Sequence, residues 1–140
     1  MSPDEYDRRM NAAVRYAVAL QEQAGLDIIT DGEWRRKSYI GVIAELADGF
    51  RESIQSDGRP WTVVVERLSQ KNSGFIASEV KFVRSLSDRK VKATLPSPVL
   101  LGERMWDRAH SAKAYPSRRE FVRACIPILR NEMELLRDAG

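Results

Sequence analysis

Two carboxylates and two guanidinium groups are crowded into one short segment of the chain. The segment from Gly25 to Arg36 reads G-L-D-I-I-T-D-G-E-W-R-R: a glycine that can end a helix, a β-prone run, and then the charges. In parallel α/β proteins the carboxyl ends of strands carry binding sites, because loops there can be charged without disturbing the core. Asp31 and Glu33 are therefore the first candidates for chemistry, and Arg36 is a third.

The composition is that of an ordinary soluble domain. Of 140 residues, 43% are hydrophobic and 31% are charged, which disfavours both disorder and membrane insertion. No apolar run approaches the roughly 18 to 20 residues that span a bilayer, and the polar, acidic start of the chain does not resemble a secretion signal. We expect one cytoplasmic domain with no membrane partner.

Charge and ligand counts exclude further classes of partner. The net charge of +3 is a small excess of 23 basic over 20 acidic residues, and no RNA-binding pattern of aromatics and glycines accompanies it. We therefore expect no nucleic acid partner. The single cysteine, Cys125, and the single histidine, His110, leave few ligands for a transition metal. We expect Cys125 to pack in the core and His110 to be solvated, so neither is predicted to bind a metal.

Two long helices are predicted at the ends of the chain. The segment 2–5 is a capping box with proline at the first helical position, and Gly25 ends the helix that it begins. A second capping box at 117–120 begins the other helix, which contains Pro127. Its predicted apolar stripe consists of Phe121, Cys125, Ile126, Leu129, Met133 and Leu136.

The middle of the chain is predicted to alternate between helices and strands. Strands are expected at 26–30, 61–65 and 91–95, and helices at 39–50 and 79–86. The apolar run at 26–30 favours a strand buried on both faces, as in a parallel sheet. Alternation of this kind is typical of an α/β fold in which βαβ units build one parallel sheet, so these strands are expected to share it.

The predicted elements lack a strand at each end. The chain opens on a helix, and its last residues, 138–140, repeat the Ala-Gly helix ending seen at 24–25 just before a strand. We therefore interpret residues 1–140 as a fragment of one larger domain.

Four segments resemble, in order and with the right spacing, the C-terminal catalytic domain of cobalamin-independent methionine synthase, and most closely its short single-domain relatives. The segments are 21–36, the Gly49-Phe50 pair, 91–99 (V-K-A-T-L-P-S-P-V) and 115–140 (Y-P-S-R-R-E-F to L-L-R-D-A-G). The resemblance implies the early βα units of a (β/α)8 TIM barrel, a fold of about 250 residues. It also implies that a first strand and the zinc ligands lie outside this chain.

The resemblance further implies a methyltransferase of methionine biosynthesis. In the family, zinc binds the thiol of homocysteine, and the resulting thiolate takes the methyl group of methyltetrahydrofolate. Glu33 matches a glutamate that helps to hold the amino group of homocysteine. Asp31 stands where methionine synthase proper has histidine, so the resemblance does not decide which thiol is the substrate. Residues 95–98 replace a Thr-Gly-Pro loop, so the shape of the folate pocket is also undecided. The fragment alone is expected to be inactive.

Each candidate residue also has a structural alternative. Glu33 could stabilise the start of a helix, but its strand-end position and the resemblance favour substrate binding. Asp31 fits an Asp-Gly turn equally well. For Arg36, an ion pair with Glu33 is favoured over contact with a substrate carboxylate. Trp34 and Trp106 could stack on a pterin ring, although packing is favoured for both.

Two other functions compete with methyl transfer to homocysteine. One is a different reaction on a related barrel, such as alkyl transfer to another thiol or a decarboxylation. The other is a non-catalytic half-barrel that acts as an assembly module, which would form a defined oligomer. No oligomeric state is predicted.

Overall fold

The computed structural model describes residues 1–55 and 57–140. The elements in chain order are α1 (Pro3–Gln23), β1 (Ile28–Ile29), α2 (Ile43–Leu46), β2 (Ala47–Ile54), β3 (Pro60–Gln70), α3 (Phe75–Arg84), β4 (Lys90–Val91), α4 (Pro98–Met105), α5 (Arg108–Ser111) and α6 (Arg118–Ala139). This mixture of helices and strands confirms the predicted α/β class. Across the two described ranges, no helix combines the length and apolar character needed to cross a bilayer.

Both long terminal helices form where the capping boxes place them. The hydroxyl of Ser2 accepts a hydrogen bond from the backbone N–H of Glu5 at 3.2 Å, and Ser117 accepts from the N–H of Glu120 at 3.3 Å. α6 continues through Pro127 as one helix. Its inward face differs from the predicted stripe. Ile126 and Met133 are exposed, whereas Ile128 and Glu132 are buried.

The predicted parallel pairing exists between β1 and β4. Ile28 is aligned with Lys90 and Ile29 with Val91. Both strands are shorter than predicted, and burial of the first strand on both faces is wrong: Ile29 is fully buried, but Ile28 is 53% exposed. The reason is that α1 and α3 cover one face of β1, while no described residue covers the other to the same degree.

The apolar spacing at 39–50 predicts a helix, and this prediction is wrong. Only the single turn α2 forms before β2 begins. Gly49 has a φ of +109°, outside the helical region, and a Cβ there would lie 3.0 Å from the backbone oxygen of Glu66 on β3. Close pairing with β3, together with a bulge between Asp48 and Phe50, therefore outweighs the local spacing.

The predicted strand at 61–65 forms, but in a different sheet. It is the start of the longer β3, which pairs antiparallel with β2, so the expectation that it joins the parallel sheet is wrong. The Asp57-Gly58 pair between the two strands is typical of a hairpin turn. A local connection of this kind lets neighbouring strands pair directly, without the helical crossover that parallel pairing requires.

Two apolar clusters support these elements. The larger one joins the α2 and β3 region to α4 and α6, with Phe121 and Leu101 fully buried. The smaller one consists of Val14, Val18, Ile29 and Val83 and lies against β1. The smaller cluster thereby fixes the end of β1, where the candidate residues begin.

Candidate functional site

The candidate residues lie where two parallel strands end. Because β1 and β4 are adjacent and run in the same direction, the loop after β1 and the segment after β4 leave the sheet side by side. Asp31, Glu33 and Arg36 come from the first and Thr94 from the second. The predicted location, at the carboxyl end of a strand, is therefore the one observed.

A glutamine of α1 holds the end of β1 in place. The side-chain amide of Gln21 donates to the carbonyl of Thr30 at 2.9 Å, and its oxygen accepts from the Thr30 N–H at 2.9 Å. The same amide also donates to the carbonyl of Ala17 within α1. Gln21 thus replaces the backbone partner that a neighbouring strand would supply, which explains why regular pairing stops at Ile29. Gln21 follows the buried Val14 and Val18 at helical spacing, so a polar residue on the inward face of α1 was the signal for this role.

Asp31, Gly32 and Glu33 form a tight turn. Oδ1 of Asp31 accepts from the backbone N–H of Glu33 at 3.1 Å, so the turn-forming alternative for Asp31 is present. Gly32 has a φ of +74° and Glu33 a φ of 57°. A non-glycine residue in this left-handed region costs about 1 to 2 kcal/mol. The surrounding contacts must therefore hold Glu33 in place.

The Glu33 carboxylate is held from two sides but stays accessible. Its Oε1 accepts a hydrogen bond from the hydroxyl of Thr94. Nη1 of Arg36 lies 3.7 Å from the same oxygen. The side chain is 32% exposed, so a ligand can reach it. The arrangement presents a positioned negative charge at the surface of the site.

Arg36 is buried and serves a different main partner from the one predicted. Its side chain is 2% exposed, and its Nε and Nη2 donate to Oε2 of Glu79 at 3.0 and 2.7 Å. Nη1 donates to the carbonyl and the hydroxyl of Thr94 at 3.0 and 2.9 Å. The predicted pair with Glu33 exists only as the longer contact. Arg36 therefore links Glu79 and Thr94 to Glu33 from within the protein.

Glu79 is a site residue that the sequence reading missed. It lies on α3 with its side chain only 2% exposed. Burial raises the pKa of its carboxyl above the ordinary value, the Arg36 hydrogen bond and charge oppose this shift, and the charge of Asp31 adds to it. A signal was available, because Glu79 lies three residues after Ile76 and four before Val83 on the apolar face of α3.

Asp31 is buried beside Glu79. It is 8% exposed, and with Glu79 and Arg36 it lines a small cavity that Val80 and Val83 also line. Within the described part of the chain, Oδ2 of Asp31 and Oε1 of Glu79 are both buried without a hydrogen-bond partner. Nη1 of Arg35, from the same loop, is a third buried side-chain atom without a partner among the described residues.

A wide groove of about 780 Å³ opens next to the cluster. It is lined by the segment 36–45, by β2 and the start of β3, and by the end of α4. Phe50 and Trp61 contribute aromatic surface. Trp34 and Trp106 do not line it: Trp34 is 51% exposed, and Trp106 donates its indole N–H to the carbonyl of Tyr115 at 2.9 Å. Packing is therefore confirmed for Trp106, whereas about half of the Trp34 surface stays exposed.

The histidine and the cysteine lie apart from each other and from this cluster. Nδ1 of His110 contacts Oδ1 of Asp107 at 2.7 Å at the start of α5, and this interaction lowers the pKa of Asp107. Cys125 is fully buried in the core, as predicted, and burial raises the pKa of its thiol to about 12. Within residues 1–55 and 57–140, no three His, Cys, Asp or Glu residues form a group that could hold a metal ion.

Comparison with known proteins shows one family throughout. A family model described as the catalytic domain of cobalamin-independent synthase matches residues 1–140. The 5-methyltetrahydropteroyltriglutamate–homocysteine methyltransferases of Mycolicibacterium paratuberculosis and Rhodococcus jostii are 30% and 32% identical to this chain over 105 residues. Each alignment covers 69% of this chain and 14% of the relative, so the chain spans a small part of these enzymes.

Solved structures agree with the family match. A B12-independent methionine synthase from Shewanella sp. W3-18-1, in complex with selenomethionine, aligns with a TM-score of 0.86 and 25% identity, covering 100% of this chain and 41% of that one. A putative vitamin-B12-independent methionine synthase from Listeria monocytogenes aligns with a TM-score of 0.73 and 22% identity over the same shares, which supports the fold alone. With a family model matched from end to end, the chain belongs to the cobalamin-independent methionine synthase family.

Proposed function

We propose that this chain carries the part of a methyltransferase site that binds the amino group of homocysteine. The observation that carries the proposal is the Glu33 carboxylate, which is 32% exposed at the end of β1 and held by Thr94 and Arg36. The named relatives transfer a methyl group from 5-methyltetrahydropteroyltriglutamate to homocysteine. We propose the same donor and acceptor for the protein to which this chain contributes.

The chemistry of Glu33 suits an ammonium ligand. A carboxylate forms its strongest hydrogen bonds with charged donors, and the α-amino group of an amino acid offers three such N–H groups. Thr94 and Arg36 hold the carboxylate before a ligand arrives, so less conformational entropy is lost on binding. The Shewanella relative was solved with selenomethionine, a ligand with the same α-amino group. These features support amino-acid recognition at this turn.

We propose that the fold is the early part of a (β/α)8 barrel. The support is the parallel pairing of β1 with β4, the presence of α3 between them in the chain, and the likeness to methionine synthase structures. The β2–β3 hairpin is then an insertion between two barrel strands. In such barrels the loops at the carboxyl ends of the strands form the site, which is where Glu33 and Thr94 lie.

The residues of this chain do not form a binding site for the zinc that the family resemblance implies. A tetrahedral zinc site needs several thiolate, imidazole or carboxylate ligands. Here the single thiol is buried with its pKa raised to about 12, and the single histidine is engaged by Asp107 on another surface. The thiol and the imidazole of this chain therefore do not fit a zinc site. No step of the proposed reaction is assigned to zinc on these residues.

We accordingly expect the isolated 140-residue protein to bind zinc weakly and to form no methionine. After dialysis against zinc-free buffer, elemental analysis should find far less than one zinc per chain. An assay with homocysteine, the methylated folate and added zinc should show no turnover. Stoichiometric zinc that survives dialysis would contradict the view that the ligands lie outside this chain.

Ligand binding tests the proposed function directly. Two-dimensional NMR spectra should be recorded with L-homocysteine and with 4-mercaptobutyrate, which lacks only the amino group. We expect L-homocysteine to shift the amide signals of Gly32, Glu33 and Thr94, and the des-amino analogue to shift them far less, because it offers no ammonium to Glu33. Equal shifts with both ligands would contradict the proposal.

The identity of the thiol acceptor can be examined in the same way. Asp31 departs from the histidine of methionine synthase proper, and its buried carboxylate borders the Glu33 turn. L-cysteine and L-homocysteine differ by one methylene, which in a fitted pocket is worth about 1 to 3 kcal/mol. Stronger binding of L-cysteine would favour transfer to another thiol.

A further inference from the structure

The hydroxyl of Thr94 lies between two charged side chains of the site. It accepts a hydrogen bond from Nη1 of Arg36 at 2.9 Å, and it donates to Oε1 of Glu33. A guanidinium group can only donate, so the direction of the first bond is fixed. A threonine hydroxyl has a single hydrogen, and that hydrogen is therefore directed at the Glu33 carboxylate.

The guanidinium group of Arg36 is engaged by oxygens other than those of Glu33. Its Nη1 donates to the backbone carbonyl and to the hydroxyl of Thr94, at 3.0 and 2.9 Å. Its Nε and Nη2 donate to Oε2 of Glu79 at 3.0 and 2.7 Å. The distance of 3.7 Å between Nη1 and Oε1 of Glu33 is therefore a contact of charges without a hydrogen bond. The hydrogen bond that reaches Glu33 comes from Thr94.

Thr94 is itself fixed by the parallel sheet and by the loop that faces it. It lies three residues after Val91 of β4, and the N–H of Lys92 extends the pairing with β1 by donating to the carbonyl of Ile29 at 2.9 Å. The two bonds from Arg36 hold its carbonyl and its hydroxyl. Little conformational freedom is then left to lose when the hydroxyl holds another group.

These contacts leave Oε2 of Glu33 for a ligand. Oε1 is occupied by Thr94 and lies near the positive charge of Arg36. Within residues 1–55 and 57–140, no N–H or O–H group donates to Oε2, and the side chain is 32% exposed. Because like charges repel, an ammonium group is favoured at Oε2 over the oxygen that faces Arg36.

We propose that Thr94 is a positioning residue of the amino-acid site. Its hydroxyl, oriented by Arg36, fixes the Glu33 carboxylate so that Oε2 receives the ammonium group of the ligand, a role that rests on the proposed function of Glu33. The left-handed backbone of Glu33, with its φ of 57°, persists only where surrounding contacts hold it, and the Thr94 bond is one of them. Thr94 acts through Glu33 and needs no contact with the ligand.

A first test of this hydrogen bond needs no ligand. In NMR spectra of the wild-type protein, the hydroxyl proton of Thr94 should be protected from exchange with solvent and should show a nuclear Overhauser contact to the γ-methylene group of Glu33. Glu33→Ala removes the acceptor, so the protection should be lost while the amide signals of β4 keep their positions. A hydroxyl proton that exchanges freely in the wild-type protein, or stays protected in Glu33→Ala, would overturn the proposal.

Matched substitutions at Thr94 test its effect on binding. Thr94→Val keeps the shape of the side chain and removes the hydroxyl, whereas Thr94→Ser keeps the hydroxyl. We expect the affinity for L-homocysteine to fall about tenfold in Thr94→Val and to stay within about threefold of wild type in Thr94→Ser. The affinity for 4-mercaptobutyrate should be unchanged in both. Equal losses for the two ligands in Thr94→Val would indicate a purely structural role and would contradict the proposal.

A double-mutant cycle tests whether Thr94 acts through Glu33. In a Glu33→Gln background, Thr94→Val should change the affinity for L-homocysteine by no more than about twofold, because the charge that the hydroxyl positions is already absent. Fully additive losses would rule out action through Glu33. If the wild-type protein does not bind L-homocysteine although the Thr94 hydroxyl proton is protected, the proposed function is overturned, while the contact between Thr94 and Glu33 stands.

Discussion

Glu33→Gln is expected to lower the affinity for L-homocysteine by about 10- to 100-fold, the loss of one hydrogen bond between charged groups. Glutamine keeps the size of the side chain and can still accept from Thr94, but it removes the negative charge that attracts the ammonium group. Binding of 4-mercaptobutyrate should be unchanged. The measurement is an NMR or calorimetric titration of both variants with both ligands.

Two further variants distinguish the effect of the Glu33 charge on binding from an effect on the fold. Glu103→Gln removes an exposed carboxylate from α4 and should leave homocysteine binding as in wild type. Glu33→Gly relieves the φ of 57°, so it should bind homocysteine as poorly as Glu33→Gln while unfolding at no lower denaturant concentration. A Glu33→Gln protein with wild-type affinity for homocysteine would refute the assignment of Glu33.

The largest loss of stability is expected from Glu132→Ala. Glu132 is fully buried on α6, and its carboxylate accepts from the backbone N–H groups of Gly74, Ile76 and Ala77 at 2.8, 2.7 and 3.1 Å. These N–H groups belong to the first turn of α3, which has no side-chain cap of its own. Their loss of a partner should destabilise the protein by about 3 to 5 kcal/mol.

Urea unfolding of matched variants measures this effect. Glu134→Ala, an exposed position on the same helix, should change stability by no more than about 0.5 kcal/mol. Glu132→Gln should fall between the two, because its remaining oxygen can serve some of the three N–H groups. Equal midpoints for Glu132→Ala and Glu134→Ala would show that α3 does not depend on this contact.

The elements predicted well are those defined by local interactions. The capping boxes of α1 and α6 join residues three apart, and the strand at β1 begins after the Gly25 helix ending. Such contacts depend on neighbouring residues, so the sequence pattern carries them. The helix predicted at 39–50 failed because β2 is stabilised by pairing with β3, which lies outside the segment that shows the helical spacing. Local periodicity contains no information about that pairing.

The candidate site divides in the same way. The Asp31-Gly32-Glu33 turn, its position at a strand end and its family resemblance were readable from consecutive residues. Glu79 and Thr94 were not, because they lie 43 and 58 positions beyond Arg36 and meet it only through the packing of α3 and the parallel pairing of β1 with β4.

The amino-acid sequence by itself therefore determined the family, the helix ends and the charged turn, since each depends on residue types at short spacing. Tertiary structure alone decided which charges are buried, which partner Arg36 takes and which carboxylate remains open to a ligand. The physical reason is that burial and long-range contact set the energy of a charge in a protein, and both arise only after distant segments have packed together.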